Sequence, residues 1–72
     1  MKKNVWKKRV VDKDMIVWDN KKNGKDIYIE KFDRGWDFVF YEKGYGDESF
    51  IEHFRLKEQA IDRAREFMRK VI

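Results

Sequence analysis

Apolar residues in the last third of the chain recur at the spacing of an α-helix. From Leu56 onward they stand at Ala60, Ile61, Ala64, Phe67, Met68 and Val71. Steps of one and three residues place these side chains on one face of a helix with 3.6 residues per turn. The opposite face holds Lys57, Asp62, Arg63, Glu66, Arg69 and Lys70. The pattern predicts an amphipathic C-terminal helix, but no Ser, Thr, Asp or Asn marks its N-cap, so the start is fixed only to about one turn.

The middle of the chain alternates with the period of two that β-strands require. Trp36, Phe38 and Phe40 alternate with other residues along positions 36–41. Residues 27–32 predict a neighbouring strand, joined to it by a turn at 33–35, and residues 50–54 predict a third strand after a glycine-containing turn at 43–48. Together with the helix, these segments predict a β–β–β–α unit.

The N-terminal third predicts up to two further strands. Residues 15–18 form a short apolar run before a turn at 20–24, and residues 5–11 form another candidate strand, paired with it through 12–14. A helix is the competing interpretation of residues 5–11, but Val5, Val10 and Val11 favour extended chain. The predicted fold class is therefore α+β: an antiparallel sheet of three to five strands packed against one C-terminal amphipathic helix, in a single domain of residues 1–72.

The composition limits how this domain can be stabilised and in which cellular compartment we expect it. The 72 residues include no Cys, which excludes disulfides and thiolate zinc sites, so the core must come from six Phe, three Tyr and three Trp. No apolar stretch of about seven residues follows the basic start, and no apolar run approaches about 18 residues. We therefore expect a cytoplasmic protein without a membrane span.

The residues that commonly carry catalysis are few and far apart in the sequence. His53 is the single His, Ser49 is the single Ser, and there is no Thr. Ser49 and His53 are four positions apart on one predicted strand. This spacing places them about 13 Å apart, too far for a hydrogen bond. No calcium-loop or phosphate-loop motif occurs. We expect no enzymatic activity, no metal site and no cofactor.

Charge is distributed unevenly along the chain, although the net charge is only +4. Residues 1–25 carry nine Lys or Arg against three Asp, residues 26–54 carry three against eight acids, and residues 55–72 carry six against three. Cations with interleaved aromatic residues are typical of nucleic-acid binding, because cations meet phosphates and aromatic rings stack on bases. The candidate DNA- or RNA-binding residues are an N-terminal arm and a loop: Lys3, Trp6, Lys7, Lys8, Arg9, Lys21, Lys22 and Lys25. The alternative is a solvated basic arm with Trp6 packed on the sheet.

The predicted pleat suggests a second kind of surface. If Trp36, Phe38 and Phe40 face the helix, the opposite face is acidic and aromatic. Its candidate protein-binding residues are Tyr28, Glu30, Asp37 and Tyr41. This pattern favours an alternative function, a protein-interaction or inhibitor module such as a phage or mobile-element accessory protein. A homodimer through an unprotected edge strand is a further expectation.

The second half of the chain resembles a known kind of DNA-binding module. The segment Gly35-Trp36-Asp37-Phe38 begins a strand, a second strand ends at Phe54, and the helix starts Leu56-Lys57-Glu58-Gln59-Ala60 and continues through Ala64-Arg65. This layout resembles the three-stranded-sheet-plus-helix DNA-binding domains at phage and transposon integrase N-termini and the plant ethylene-response-factor domains. The resemblance implies a sheet that enters the major groove of DNA. Here the open sheet face departs from that chemistry, because it would present Glu30 and Asp37 to phosphate.

Overall fold

The computed structural model describes residues 6–42 and 48–70. It contains the strands β1 (Trp6–Asp12), β2 (Met15–Asn20), β3 (Lys25–Phe32), β4 (Gly35–Tyr41) and β5 (Glu48–Phe54), followed by the helix α1 (Lys57–Lys70). The strands form one antiparallel sheet in the order β1-β2-β3-β4-β5. The α+β prediction is thus confirmed at its upper limit of five strands, and residues 6–12 form a strand rather than a helix.

The helix begins without a Ser, Thr, Asp or Asn cap because Gln59 supplies part of the capping. Its Oε1 accepts a hydrogen bond from the backbone N–H of Leu56 at 3.1 Å, while the Leu56 carbonyl accepts from the N–H groups of Gln59 and Ala60. This is half of the reciprocal arrangement of a capping box. It fixes the start of α1 immediately after Leu56.

The core lies between α1 and one face of the sheet. Ala60 and Ala64 are fully buried, and these two small side chains let the helix approach β3, β4 and β5 closely. The Phe67 ring lies 5.4 Å from the Phe38 ring and 4.6 Å from the Phe40 ring, centroid to centroid. The buried cluster consists of Trp6, Ile16, Trp18, Ile27, Ile29, Phe38, Phe40, Ala60 and Ala64. The prediction that Trp36, Phe38 and Phe40 face the helix is confirmed by their packing in or against this cluster.

The link between β3 and β4 differs from the predicted turn in one respect. Phe32 pairs with Gly35, so only Asp33 and Arg34 form the turn, with φ angles of 49° and 63°. Two successive positive φ angles are the mark of a type I′ hairpin turn, whose twist matches that of the strands. Gly35 is the first residue of β4, and it is glycine for another reason. A Cβ there would clash with the Phe54 carbonyl oxygen and would lie 2.6 Å from His53 Nε2.

Candidate nucleic-acid interface

The strand β1 divides its cations between the two faces of the sheet. Lys7 pairs with Asp19 and points to the open face, whereas Lys8 pairs with Trp18 and points to the face that α1 partly covers. Lys8 Nζ lies 5.8 Å from the Trp18 ring centroid, within the range of a cation–π interaction. The predicted arm therefore does not present its cations as one surface.

Arg9 is already neutralised within the molecule. Its Nε and Nη2 donate hydrogen bonds to the two carboxylate oxygens of Asp19, at 3.0 and 3.3 Å. This hydrogen-bonded pair lowers the pKa of Asp19 and raises the pKa of Arg9. Asp26 lies opposite Asp19 on β3, and burial, followed by the hydrogen bond and charge of Asp19, raises its pKa. Arg9 thus belongs to a cross-strand charge network, which leaves it poorly placed to bind phosphate.

Trp6 lies in the core, with 7% of its surface exposed. Its ring is therefore not displayed for stacking on a base, which corrects the expectation attached to this residue. The alternative considered from the sequence, packing on the sheet, describes its position. Lys3 lies outside the described residues.

The lysine-rich link between β2 and β3 is an ordered turn built around Asn20. The buried Asn20 side chain accepts hydrogen bonds through Oδ1 from the N–H groups of Lys22 and Asn23, and its carbonyl accepts from Gly24. Gly24 has a φ of 76°, which glycine adopts without strain. Lys21 and Lys22 are exposed in this turn, whereas Lys25 lies on β3 with its Nζ 3.9 Å from Glu42.

A groove that the sequence did not single out runs between the β1–β2 pair and the second half of α1. Its volume is about 400 Å³, and it is lined by Trp6, Trp18, Arg65, Met68 and Arg69. The groove exists because α1 packs mainly on β3, β4 and β5, so the β1–β2 end of this face is only partly covered. The signal in the sequence was the pair Arg65 and Arg69, one helical turn apart and flanking Met68 at the edge of the apolar stripe.

The groove is bordered by cations that form no ion pair with the described acidic residues. Lys8, Arg65 and Arg69 have no Asp or Glu within ion-pair distance among the residues that the structure describes. Arg63, two residues before Arg65 on α1, contrasts with them, because Glu52 and Glu66 hold its guanidinium at 2.9 and 3.3 Å. We name the groove with Lys8, Arg65 and Arg69 the cationic groove.

The residues of the predicted acidic aromatic surface share the open face of the sheet. Glu30 pairs directly with Asp37, and the Tyr28 and Tyr41 rings meet edge to face at 5.1 Å. Tyr41 is buried, however, so it offers little surface to a partner. Acidic side chains dominate this end of the face, and their charge repels phosphate.

His53 has a partner that sequence spacing could not reveal. Its Nδ1 lies 2.6 Å from Asp37 Oδ1, because β5 pairs with β4 and places the two residues opposite each other. Among the residues of 6–42 and 48–70, no group of three His, Asp or Glu side chains is arranged to hold a metal ion. The same part of the chain contains no helix with the length and apolar character needed to cross a membrane.

No protein-family model, curated protein or solved structure matches this chain.

Proposed function

We propose that the protein binds nucleic acid through the phosphate backbone, with the cationic groove as the contact surface. The observation that carries this proposal is the grouping of Lys8, Arg65 and Arg69 around one groove, with no described Asp or Glu within ion-pair distance of them. Phosphate contacts of this kind supply affinity and position rather than sequence specificity. A cytoplasmic location, which the sequence favours, is compatible with this role.

The lysine-rich turn extends the surface at one end of the groove. Trp6 lines the groove and pairs with Asn20, the residue on which the turn is built, so Lys21 and Lys22 follow directly from that end. A strand of nucleic acid in the groove would meet these lysines next. The open face takes no part, since Asp19 holds Arg9, and Glu30 and Asp37 repel phosphate.

Salt dependence tests the proposal quantitatively. Three phosphate contacts predict that log K falls with log salt concentration with a slope of roughly −2 to −3. Fluorescence anisotropy with a labelled 20-nucleotide single strand and a 20-base-pair duplex, from 50 to 200 mM salt, measures this slope for both forms. Absence of binding to either at 50 mM salt would reject the proposal.

A charge-matched pair of variants tests the location of the site. Arg65→Gln with Arg69→Gln removes two charges at the groove, and Lys31→Gln with Arg34→Gln removes two exposed charges at the β3–β4 end of the sheet. We expect the groove variant to reduce the magnitude of the salt slope by about 1.5 to 2 units and the control to leave it unchanged. Equal losses in both variants would show that net charge, rather than the groove, governs binding.

A further inference from the structure

The two edges of the sheet differ in their protection against pairing with another strand. At one edge, β1 carries exposed Lys7, Lys8 and Arg9, and its register with β2 shifts between Val10 and Asp12. Both edges contain a register shift, so the three consecutive cations distinguish β1, and charged residues hinder edge-to-edge pairing. Residues 7–9 of this edge are therefore protected, although Val10 and Val11 beyond them are exposed.

The other edge, β5, has a regular segment with exposed apolar side chains. Its register with β4 shifts between Phe40 and Tyr41, but residues 50–54 pair with β4 in continuous register, and Phe50 and Ile51 are 40% and 49% exposed. An exposed apolar edge strand is a template for pairing with a further strand.

The polar side chains of Glu52 and His53 in this segment contact groups of the same molecule. Arg63 holds Glu52 at 2.9 Å on the helix side, and His53 contacts Asp37 at 2.6 Å on the open side. Neither side chain is therefore available as the free charge that usually protects an edge strand.

A second copy of the chain fits this edge in one antiparallel register in particular. Pairing about Ile51 places Ile51 opposite its own counterpart and Phe50 opposite Glu52, so no like charges meet. A register centred on Glu52 would instead oppose two glutamates, which is unfavourable. The Arg63 guanidinium already lies 5.7 Å from the Phe50 ring centroid, so each copy brings an aromatic ring and its cation to the junction.

We propose that two copies join their β5 edges antiparallel about Ile51, forming a continuous ten-stranded sheet with two-fold symmetry. Such an interface is isologous, since the same residues serve both sides, and it closes after two subunits. The proposal is independent of nucleic-acid binding, because the cationic groove borders the opposite edge of the sheet.

The mass of the protein in solution tests this arrangement. Sedimentation equilibrium over a range of concentrations should show a monomer–dimer equilibrium. Ile51→Lys should weaken dimerisation at least tenfold, because it places two like charges opposite each other at the centre of the junction. Val10→Lys is the matched control: Val10 is 64% exposed on the β1 edge, and its replacement should leave the dimer intact. Circular dichroism checks that both variants remain folded.

Disulfide trapping tests the register itself. The chain has no Cys, so Ile51→Cys introduces a single thiol. Directly opposed residues of antiparallel strands have Cα atoms about 4.5–5.5 Å apart, within disulfide range. Oxidation should therefore link Ile51→Cys into a dimer, whereas Val10→Cys should react far less. A monomer at all concentrations, or an Ile51→Lys variant that dimerises normally, would overturn the proposal.

Discussion

On the face covered by α1, the sheet is stabilised by aromatic packing, whereas on the open face it is stabilised by pairs of polar and charged side chains on neighbouring strands. The covered face buries Phe38 completely and surrounds Phe67 with rings. The open face carries the Arg9–Asp19 bridge and the Asp37–His53 contact.

The open face nevertheless contains buried aliphatic residues. Val17 and Val39 are 1% and 2% exposed, although α1 packs on the other face. Their partners on the neighbouring strands are Arg9, Tyr28 and Ile51, which have longer side chains. Within the described part of the chain, small apolar residues of the open face are thus buried among longer neighbours, whereas those of the other face are buried beneath a helix.

The largest expected effect comes from truncating adjacent residues of β4 that lie on opposite faces. Phe38→Ala should lower the free energy of unfolding by about 3 to 5 kcal/mol, because it leaves a cavity in the aromatic cluster. Val39→Ala should cost about 1 to 2 kcal/mol, in proportion to the methyl groups lost. Urea denaturation measures both, with Phe38→Leu as a milder variant that stays folded. Equal costs would show that the open face is as tightly packed as the covered face.

The next largest effect on stability concerns the close approach of β4 and β5 at Gly35, on the open face. Gly35→Ala should cost about 1 to 3 kcal/mol, because the added Cβ meets the Phe54 carbonyl and the His53 ring. Gly24→Ala is the control for backbone strain without a clash. An added Cβ at position 24 meets nothing within 4 Å, but the φ of 76° is strained for Ala, which should cost about 1 kcal/mol. Thermal unfolding compares the two. A Gly35→Ala variant as stable as the wild type would mean that β4 and β5 separate there easily.

The β3–β4 turn sets the register, and hence which residues lie on which face. Arg34→Gly should stabilise the protein by up to about 1 kcal/mol, because it relieves a non-glycine residue with a φ of 63°. Arg34→Ala keeps the Cβ and should bring no such gain. Chemical denaturation measures the difference, and equal stability of the two variants would locate the strain elsewhere.

The smallest effect tests the charge network of the open face. Asp26→Asn should raise the free energy of unfolding at neutral pH by a few tenths to about 1 kcal/mol, because it removes one of two opposed carboxylates. In the wild type, the raised pKa of Asp26 means that the folded state takes up this proton more readily, so its protonation on acidification is stabilising.

Asp19 titrates with the opposite sign. Its lowered pKa contributes stability above the unfolded value, and this stability is lost as pH falls through the folded pKa. On acidification, the Asp26→Asn variant should therefore lack the gain in stability that protonation of Asp26 brings. It should keep the loss of stability that protonation of Asp19 causes. Urea denaturation from pH 7 down to pH 3 checks this, and an unchanged pH profile would contradict the proposed network.

The elements were predictable because each one carries its own local pattern. The period of two that indicates a strand is visible in Trp36, Phe38 and Phe40. The helical period is visible in the spacing of Ala60 and Ala64. The candidate site was less predictable, because it depends on pairing between distant segments. Sequence shows Arg9 as one of several cations, but the β1–β2 register decides that Asp19 neutralises it.

The groove depends on a still less local property, the position of α1 across the sheet. Arg65 and Arg69 form a cationic surface with Lys8 only because the helix leaves the β1–β2 end partly uncovered. No pattern within α1 specifies which strands the helix will cover. For the same reason, the burial of Trp6 was not evident from the basic residues around it.

The strand order has a consequence for how the chain folds. Each strand pairs with its immediate neighbours in sequence, so every hairpin in the described sheet closes over a short connection, whereas α1 contacts β3 and β4 across longer separations. Closing a short connection costs less conformational entropy than bringing distant segments together. We expect the meander to assemble hairpin by hairpin, with docking of α1 on Phe38 and Phe40 as the step that makes the whole domain cooperative.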